Sequence, residues 1–380
     1  MKRFFVWCGA LIFSVIVHVG QMERAAAQDA PIPDGMDAVV TPDPNAGVST
    51  PETLVSPLPP TLKLEGLRAV YQQLNRCSTA ALTIQMSYFG FTGSYDEVIR
   101  AVNPHIDDVA TRLEEMAGFA ATHGLNAVIR YGGDVEMLKA LVGSGFPVLV
   151  ENVYYDGVTG DAFRDFISHN RVIMGYDDVL GVLYSFDSLL GNGEDGTGRP
   201  IPYEDYDARW RPFNRDYMVL YRPEEEARLR AVLGDHWDAT YNLEHALALS
   251  QRELAENRAD SFTVFNQGEM LVRLGRYEEA AAAFDQARNI GLPWRMFWYQ
   301  YGALEAYLQT GRYEDVLTIA RSVIDATPGV EEIYYYAGLA YEAQGDLLRA
   351  EANFEVALLR NMFYRAAADA LTRVRAAVGG

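Results

Sequence analysis

The chain has 380 residues, too many for one ordinary core, so two domains are the starting expectation. Hydrophobic residues make up 49%, enough for filled interiors and too many for a mainly disordered protein. Its 32 Lys and Arg against 52 Asp and Glu give a formal charge of −20, a surface that repels phosphate backbones and argues against nucleic acid or anionic membranes as partners.

Residues 1–27 read as a signal peptide. Lys2-Arg3 is a basic start, Phe4 to Val19 an apolar run, and Ala25-Ala26-Ala27 the small residues an export peptidase reads. Cleavage is expected after Ala27, which makes the folded part exported, either secreted or in the cell envelope. The alternative is an uncleaved anchor, since the run is nearly long enough to span a bilayer; only then is a membrane a partner. Of the two cysteines, Cys8 falls in this leader, so the processed chain keeps Cys77 without an internal disulfide partner. A leftover Cys in an exported protein is either reactive or an intermolecular linker. Residues 28–62 read as a Pro-rich disordered linker: eight of the sixteen prolines fall by Pro60, with five acidic residues and no basic one.

From 63 to 222 the pattern is mixed. Gln72-Gln73-Leu74-Asn75-Arg76-Cys77-Ser78-Thr79-Ala80-Ala81-Leu82 reads as a polar loop entering an amphipathic helix that runs to about Phe89 and buries Ala80, Ala81, Ile84 and Tyr88. A thiol at that junction meets unpaired N–H groups and the positive end of the helix dipole, which favour thiolate. Gln72 can donate an amide hydrogen bond to a developing oxyanion, with Gln73 as the alternative donor. The same Cys77 also admits a plainer reading, a buried structural thiol. Ser94 caps a helix through Ala101, a third helix covers about 108–123, and a fourth runs from Asp134 to Val142. Strands are expected at 127–131, 147–153, 169–176, 182–187 and 217–221, giving helices first and an antiparallel sheet later, which is α+β order.

The segment 169–187 carries the second half of a possible site. Val172 to Tyr176 and Val182 to Asp187 form a hairpin. A turn centred on Val179 sets Asp187 opposite Arg171 and puts His169 two residues along the same face, a diagonal of about 7–8 Å that a carboxylate and an imidazole can bridge. The Gly191–Gly198 loop lacks both the P-loop Lys-Ser/Thr and the EF-hand ligand spacing, so it reads as a flexible surface loop. No HExxH or paired CxxC supports a zinc site, and no cofactor is expected. His105, His123, His236 and His245 have no evident partner.

Residues 223–380 are helical with an internal repeat. Gly268, Gly302 and Gly338 recur at spacings of 34 and 36, and the turn glycines Gly275, Gly311 and Gly345 at 36 and 34. Tyr277, Ala280, Phe284 and Ala287, then Tyr313 and Ala320, then Ala350, Phe354 and Ala357 follow the turns. That period with small residues at helix contacts is the tetratricopeptide (TPR) signature, preceded here by bridging helices and closed by a C-terminal cap. Such arrays bind peptides or proteins in a groove. Trp294, Phe297, Trp298, Tyr299, Tyr334, Tyr335 and Tyr336 either line that groove or pack between helices.

Gln72-x4-Cys77, His169-Asn170-Arg171-Val172-Ile173-Met174-Gly175-Tyr176-Asp177 and Phe186-Asp187-Ser188 together resemble the papain-like cysteine peptidases of the bacteriocin-processing (C-39) family, in particular exported members followed by TPR repeats. The resemblance implies a papain-like α+β peptidase domain before an all-α TPR solenoid. It implies Cys77 as nucleophile, His169 as general base then acid, Asp187 as the orienting carboxylate and Gln72 as oxyanion donor. The relatives usually carry Gly-Pro after Asn-Cys, whereas this chain has Ser78-Thr79; a catalytically inactive, peptide-binding scaffold is therefore the alternative to a hydrolase. The double-glycine substrate of transporter-fused members does not carry over to a chain with no transporter domain.

Overall fold

The computed structural model describes residues 58–379, so the expected leader and nearly all of the expected linker lie outside the described residues. The first half is one antiparallel sheet with helices on both faces. Its elements are β1 (Thr61–Lys63), α1 (Cys77–Tyr88), α2 (Tyr95–Val102), α3 (Leu113–Ala121), β2 (Asn126–Arg130), α4 (Val135–Gly143), β3 (Val148–Tyr155), β4 (Phe166–Asp177), β5 (Val182–Phe186), β6 (Arg199–Pro202), α5 (Tyr203–Trp210) and β7 (Tyr217–Tyr221). Strand order is β2-β7-β3-β4-β5-β6, with β1 paired to β4 beyond the end of β3. Thr61 and Leu62, placed by sequence in the linker, are therefore part of the sheet. Gly175 makes that pairing possible, since a Cβ there would lie 2.6 Å from the Leu62 carbonyl oxygen.

Local chemistry explains the helix starts. The Ser94 hydroxyl accepts from Glu97 N–H and the Asp134 carboxylate from Met137 N–H, capping α2 and α4. The third helix begins at Leu113 rather than near 108, because Asp108 accepts from Ala110 N–H and holds the chain in a turn. The expected amphipathic α1 is instead buried from Ser78 through Met86. One side packs on Leu149, Val172 and Met218 of the sheet, and α2 and α3 cover the other with Val98, Val102 and Met116. Gln85, inside this helix, uses both N–H groups of its amide, donating to the Pro147 and Met218 carbonyls at 3.0 Å each.

The second half is helical: α6 (Glu226–Leu233), α7 (Ala239–Glu256), α8 (Ser261–Arg273), α9 (Tyr277–Ile290), α10 (Met296–Tyr299), α11 (Gly302–Gln309), α12 (Tyr313–Ala326), α13 (Glu331–Ala343), α14 (Leu347–Arg360) and α15 (Arg365–Val378). Gly275, Gly311 and Gly345 turn the α8–α9, α11–α12 and α13–α14 hairpins at φ of 72°, 73° and 80°, where a Cβ is strained. Gly268 and Gly338 face the rings of Phe284 and Phe354, which leave no room for a side chain. The middle repeat departs from this pattern. Ala320 stands where the other two have Phe, and Gly302 meets the buried carboxylate of Glu269, which accepts from Gly302 N–H at 2.9 Å. The two halves share one core, for Val153, Phe166 and Phe213 pack in the same cluster as Val264, Phe265 and Met296.

Candidate active site

Three distant stretches meet where α1 begins. Asn75 adopts φ 58°, a left-handed turn that Asn tolerates, and delivers Cys77 to the first position of α1. No side chain caps this helix and no acidic residue sits in its first turn, so the leading N–H groups stay available to an incoming oxygen. Cys77 is half-buried.

His169 lies on β4, three residues before Val172, which faces Phe186 on β5. Nearer the turn the pairing is offset by one residue, with Asp177 facing Val182. A bulge between Ile173 and Gly175 restores the alignment expected from a turn centred on Val179. Continued by one residue, that alignment brings Asp187 across from Arg171. The Asp187 carboxylate accepts from His169 Nε2 at 2.9 Å, and its other oxygen faces the Arg171 guanidinium at 3.3 Å. Leu189 and Leu190 N–H donate to the same Oδ1 at 2.9 and 2.8 Å, closing a turn around it. His169 and Asp187 are 2% and 1% exposed, so this pair acts in a dry, low-dielectric setting.

The electrostatics favour the charged forms of all three groups. Burial pushes the Asp187 carboxyl up, but the hydrogen bond and charge of His169, the Arg171 guanidinium and the Leu190 N–H hold it well below the usual range. Burial lowers His169, and the carboxylate on one side and the sulfur on the other reverse this, leaving the ring raised. Burial is also the largest influence on Cys77, disfavouring thiolate. The His169 hydrogen bond and charge, the Asn170 backbone and the Ser78 hydroxyl outweigh it together, and the thiol is lowered. Because Nε2 is bound to Asp187, Nδ1 is the ring nitrogen left for the sulfur.

Gln72 belongs to the same constellation. Its Oε1 accepts from Ser188 Oγ at 2.8 Å and its backbone N–H donates to the Ser188 carbonyl at 3.0 Å, which leaves the side-chain NH2 free to donate. Gln73 is exposed and its amide turns to Asp96 at 3.4 Å, so it is the poorer donor. Ser78 and Thr79 are accommodated without strain: Ser78 Oγ donates to Asn170 Oδ1 at 2.7 Å and Thr79 Oγ1 to the Arg76 carbonyl at 3.1 Å.

The sequence reading missed several supporting residues. Asn192, in the glycine-rich loop taken as flexible surface, is buried, and its Oδ1 accepts from Asp187 N–H at 3.1 Å. The loop is tied at both ends by Gly198 N–H to the Asn192 carbonyl at 2.8 Å and Lys63 Nζ to Thr197 Oγ1 at 2.9 Å. An Asn between glycines, five residues after a candidate carboxylate, is the signal that marks it. The four histidines thought unpartnered have contacts: His105 meets Arg360 at 2.8 Å, His123 sits against Phe91 and Phe119, His236 Nδ1 meets Asn242 at 3.2 Å, and the His245 ring lies 4.7 Å from that of His236.

The repeat half reaches this site. Trp294 Nε1 donates to the Arg164 carbonyl at 3.3 Å and Arg295 to the Phe166 carbonyl at 3.2 Å. The Tyr299 phenol lies against the Ser168 backbone and within the field of Cys77. These aromatics thus pack across to the strand that carries His169, while Tyr335 packs against Phe354 and Tyr364 within the array. Tyr299 also borders a cavity of about 280 Å³ between the halves.

A helix-borne thiol facing a strand-borne His–Asp pair, on an α+β scaffold followed by paired helices, defines a papain-like peptidase domain joined to TPR-like repeats. Residues 67–218 match the model of the Peptidase_C39 like family. Similar solved structures include a putative C39-like peptidase from Bacillus anthracis, at 15% identity over 43% of this chain and 98% of that one, with a TM-score of 0.32. Another is a double glycine motif protease from an AMS/PCAT transporter in complex with the leader peptide (16% identity; 42% of this chain and 92% of that one; TM-score 0.30). A third is YrrB, a TPR protein with an unusual peptide-binding site (18% identity; 40% of this chain and 74% of that one; TM-score 0.32). No curated protein matches the chain.

Proposed function

We propose that the protein is an exported cysteine peptidase that hydrolyses peptide bonds, with a repeat array that engages a peptide or protein. The Cys77 thiolate attacks the scissile carbonyl carbon, and the resulting oxyanion is held by the Cys77 N–H and the Gln72 amide. His169, protonated at Nδ1, gives that proton to the leaving amine as the C–N bond breaks and the thioester forms. The neutral ring then takes a proton from water, whose oxygen displaces the sulfur and releases the acid. Asp187 keeps the ring oriented and stabilises its charge.

The observation that carries this reading is the 2.9 Å His169–Asp187 hydrogen bond beside a thiol lowered by the same ring. The Ser78 and Thr79 contacts support an intact first turn and so favour the hydrolase over the inactive scaffold. Export is inferred from the leader pattern alone. The test is hydrolysis of a peptide library by the wild-type protein and by Cys77→Ala: cleavage by the wild type that vanishes in the variant is expected, and equal cleavage by both refutes the mechanism.

A further inference from the structure

We propose that the protein binds a calcium ion between its two halves, through Glu115 on α3 and Glu331 and Glu332 at the start of α13. One oxygen from each of these carboxylates lies within 4.8 Å of the others. Calcium–oxygen bonds of 2.3–2.6 Å put ligand oxygens up to about 5 Å apart, whereas the 2.0–2.1 Å bonds of magnesium demand a tighter set. The all-carboxylate donors select a hard cation, and a set lying within 4.8 Å accommodates calcium.

The hydrogen bonding shows what is missing. Glu331 and Glu332 are each only 2% exposed, and the Oε2 of each has no hydrogen-bond partner among the described residues. Glu331 Oε1 accepts from Asn361 Nδ2 at 2.8 Å, and Glu332 Oε1 forms an ion pair with Arg112 Nε at 2.9 Å. Glu115 Oε2 accepts from Arg112 N–H at 3.0 Å, and its Oε1 receives a 3.2 Å contact from the same Asn361. Buried carboxylate oxygens with no donor are rare, because desolvation is then uncompensated. Two of them in adjacent residues, converging with a third carboxylate, point to an absent positive partner.

Charge counting agrees. Buried Asp108 adds a fourth carboxylate to the field of Glu331 and Glu332; among the described residues Arg112 pairs with the cluster and Arg76 lies within the field of Asp108. One divalent ion removes most of the remaining imbalance. Glu332 borders the cavity between the halves, which gives an ion a route in. Such an ion ties the Asp108–Glu115 stretch to the repeat hairpin, independently of any chemistry at Cys77.

The test uses the full chain stripped with chelator at pH 7.5 and titrated first with terbium. Tyr301 and Tyr364 lie within the field of Glu332 and serve as energy donors. Tyrosine-sensitised terbium emission saturating at one ion per chain and displaced by calcium is expected. Calcium at about 100 times its Kd should raise the thermal midpoint by about 2–4 °C. The double variant Glu331→Gln/Glu332→Gln should unfold at a higher midpoint than the stripped wild type and lose both responses. Absence of sensitised emission from the wild type overturns the proposal, as does a calcium shift that persists in the folded double variant. Should that variant fail to fold, the wild-type terbium titration decides alone.

Discussion

Replacing Asp187 with Asn isolates the carboxylate's contribution to the ion pair. The substitution keeps the shape and leaves an oxygen to accept from Leu189 and Leu190 N–H, whose bonds to Oδ1 are 2.9 and 2.8 Å. It removes the charge that faces His169 Nε2 at 2.9 Å and Arg171 at 3.3 Å. A hydrogen bond to a charged group contributes about 1.5–3 kcal/mol, so loss of its charged character lowers the thiolate–imidazolium population by about 10- to 160-fold. Since Asp187 and Cys77 both raise His169, and His169 lowers Cys77, the variant's imidazole pKa falls and its thiol pKa rises. The assay is the pH profile of alkylation of the Cys77 peptide, read by mass spectrometry to exclude Cys8. The wild type should show fast labelling with an onset below the pKa of about 8.5 of a free thiol, and the variant an onset shifted toward that value. Superimposable profiles refute the argument. Arg171, 5% exposed and left without its carboxylate, adds a separate loss of stability of about 3–5 kcal/mol, read in urea.

Gln72→Ala should cost about 2.7–4 kcal/mol of transition-state stabilisation, about 100- to 1,000-fold in kcat. Ser188→Ala only frees the amide it holds at 2.8 Å and should cost about 1 kcal/mol, so equal losses in the two variants would deny Gln72 its oxyanion role. Glu151, pushed up to about 7 by burial, binds its proton more tightly folded than unfolded. Its stabilising effect is complete below the unfolded value near 4.5 and is lost as pH rises through 7, so Glu151→Gln should flatten the fall in thermal midpoint over that window. A Cβ at Gly329 would stand 2.0 Å from the Asp107 carbonyl oxygen, so Gly329→Ala should destabilise by about 1–3 kcal/mol in urea and alter calcium binding, while Gly345→Ala, in open space, should affect stability alone.

Features set by local chemistry were legible in the sequence. The turn glycines with positive φ, the Ser94 and Asp134 caps and the His169–Asp187 face all follow from spacing or side-chain type. The hairpin was legible for a subtler reason: the offset at its turn and the bulge at Gly175 cancel, so counting from Val179 reaches the right partner for Val172. What escaped notice depends on the rest of the fold. Helix α1 carries Gln85 and Thr83, which look solvent-facing until the sheet carbonyls and the α2–α3 layer enclose them. Strands β1 and β6 are three and four residues long, and β6 holds two prolines, so neither shows a period. Glu331 and Glu332 read as ordinary acidic residues in a first helical turn, and only the docking of α13 against the 107–115 segment buries them.

That docking also changes what the repeat array is. An array attached by a tether needs a core of its own, yet the apolar cluster of the first repeats includes Val153, Phe166 and Phe213 from the sheet-bearing half. The chain leading into β4 is held by repeat side chains at Arg164 and Phe166, three residues before His169. A fragment ending at residue 222 would expose those three side chains and release the base of the strand that orients the imidazole. The repeats therefore stabilise the same strand that a catalytic histidine requires to be rigid. A ligand in the array affects the ring only to the extent that it binds the braced and unbraced arrangements of β4 with different affinity. Because Trp294 and Arg295 grip backbone carbonyls, this coupling depends on the path of the chain at 164–166 and tolerates exchange of the exposed Arg164 side chain, whereas Phe166 is fixed by its place in the shared core.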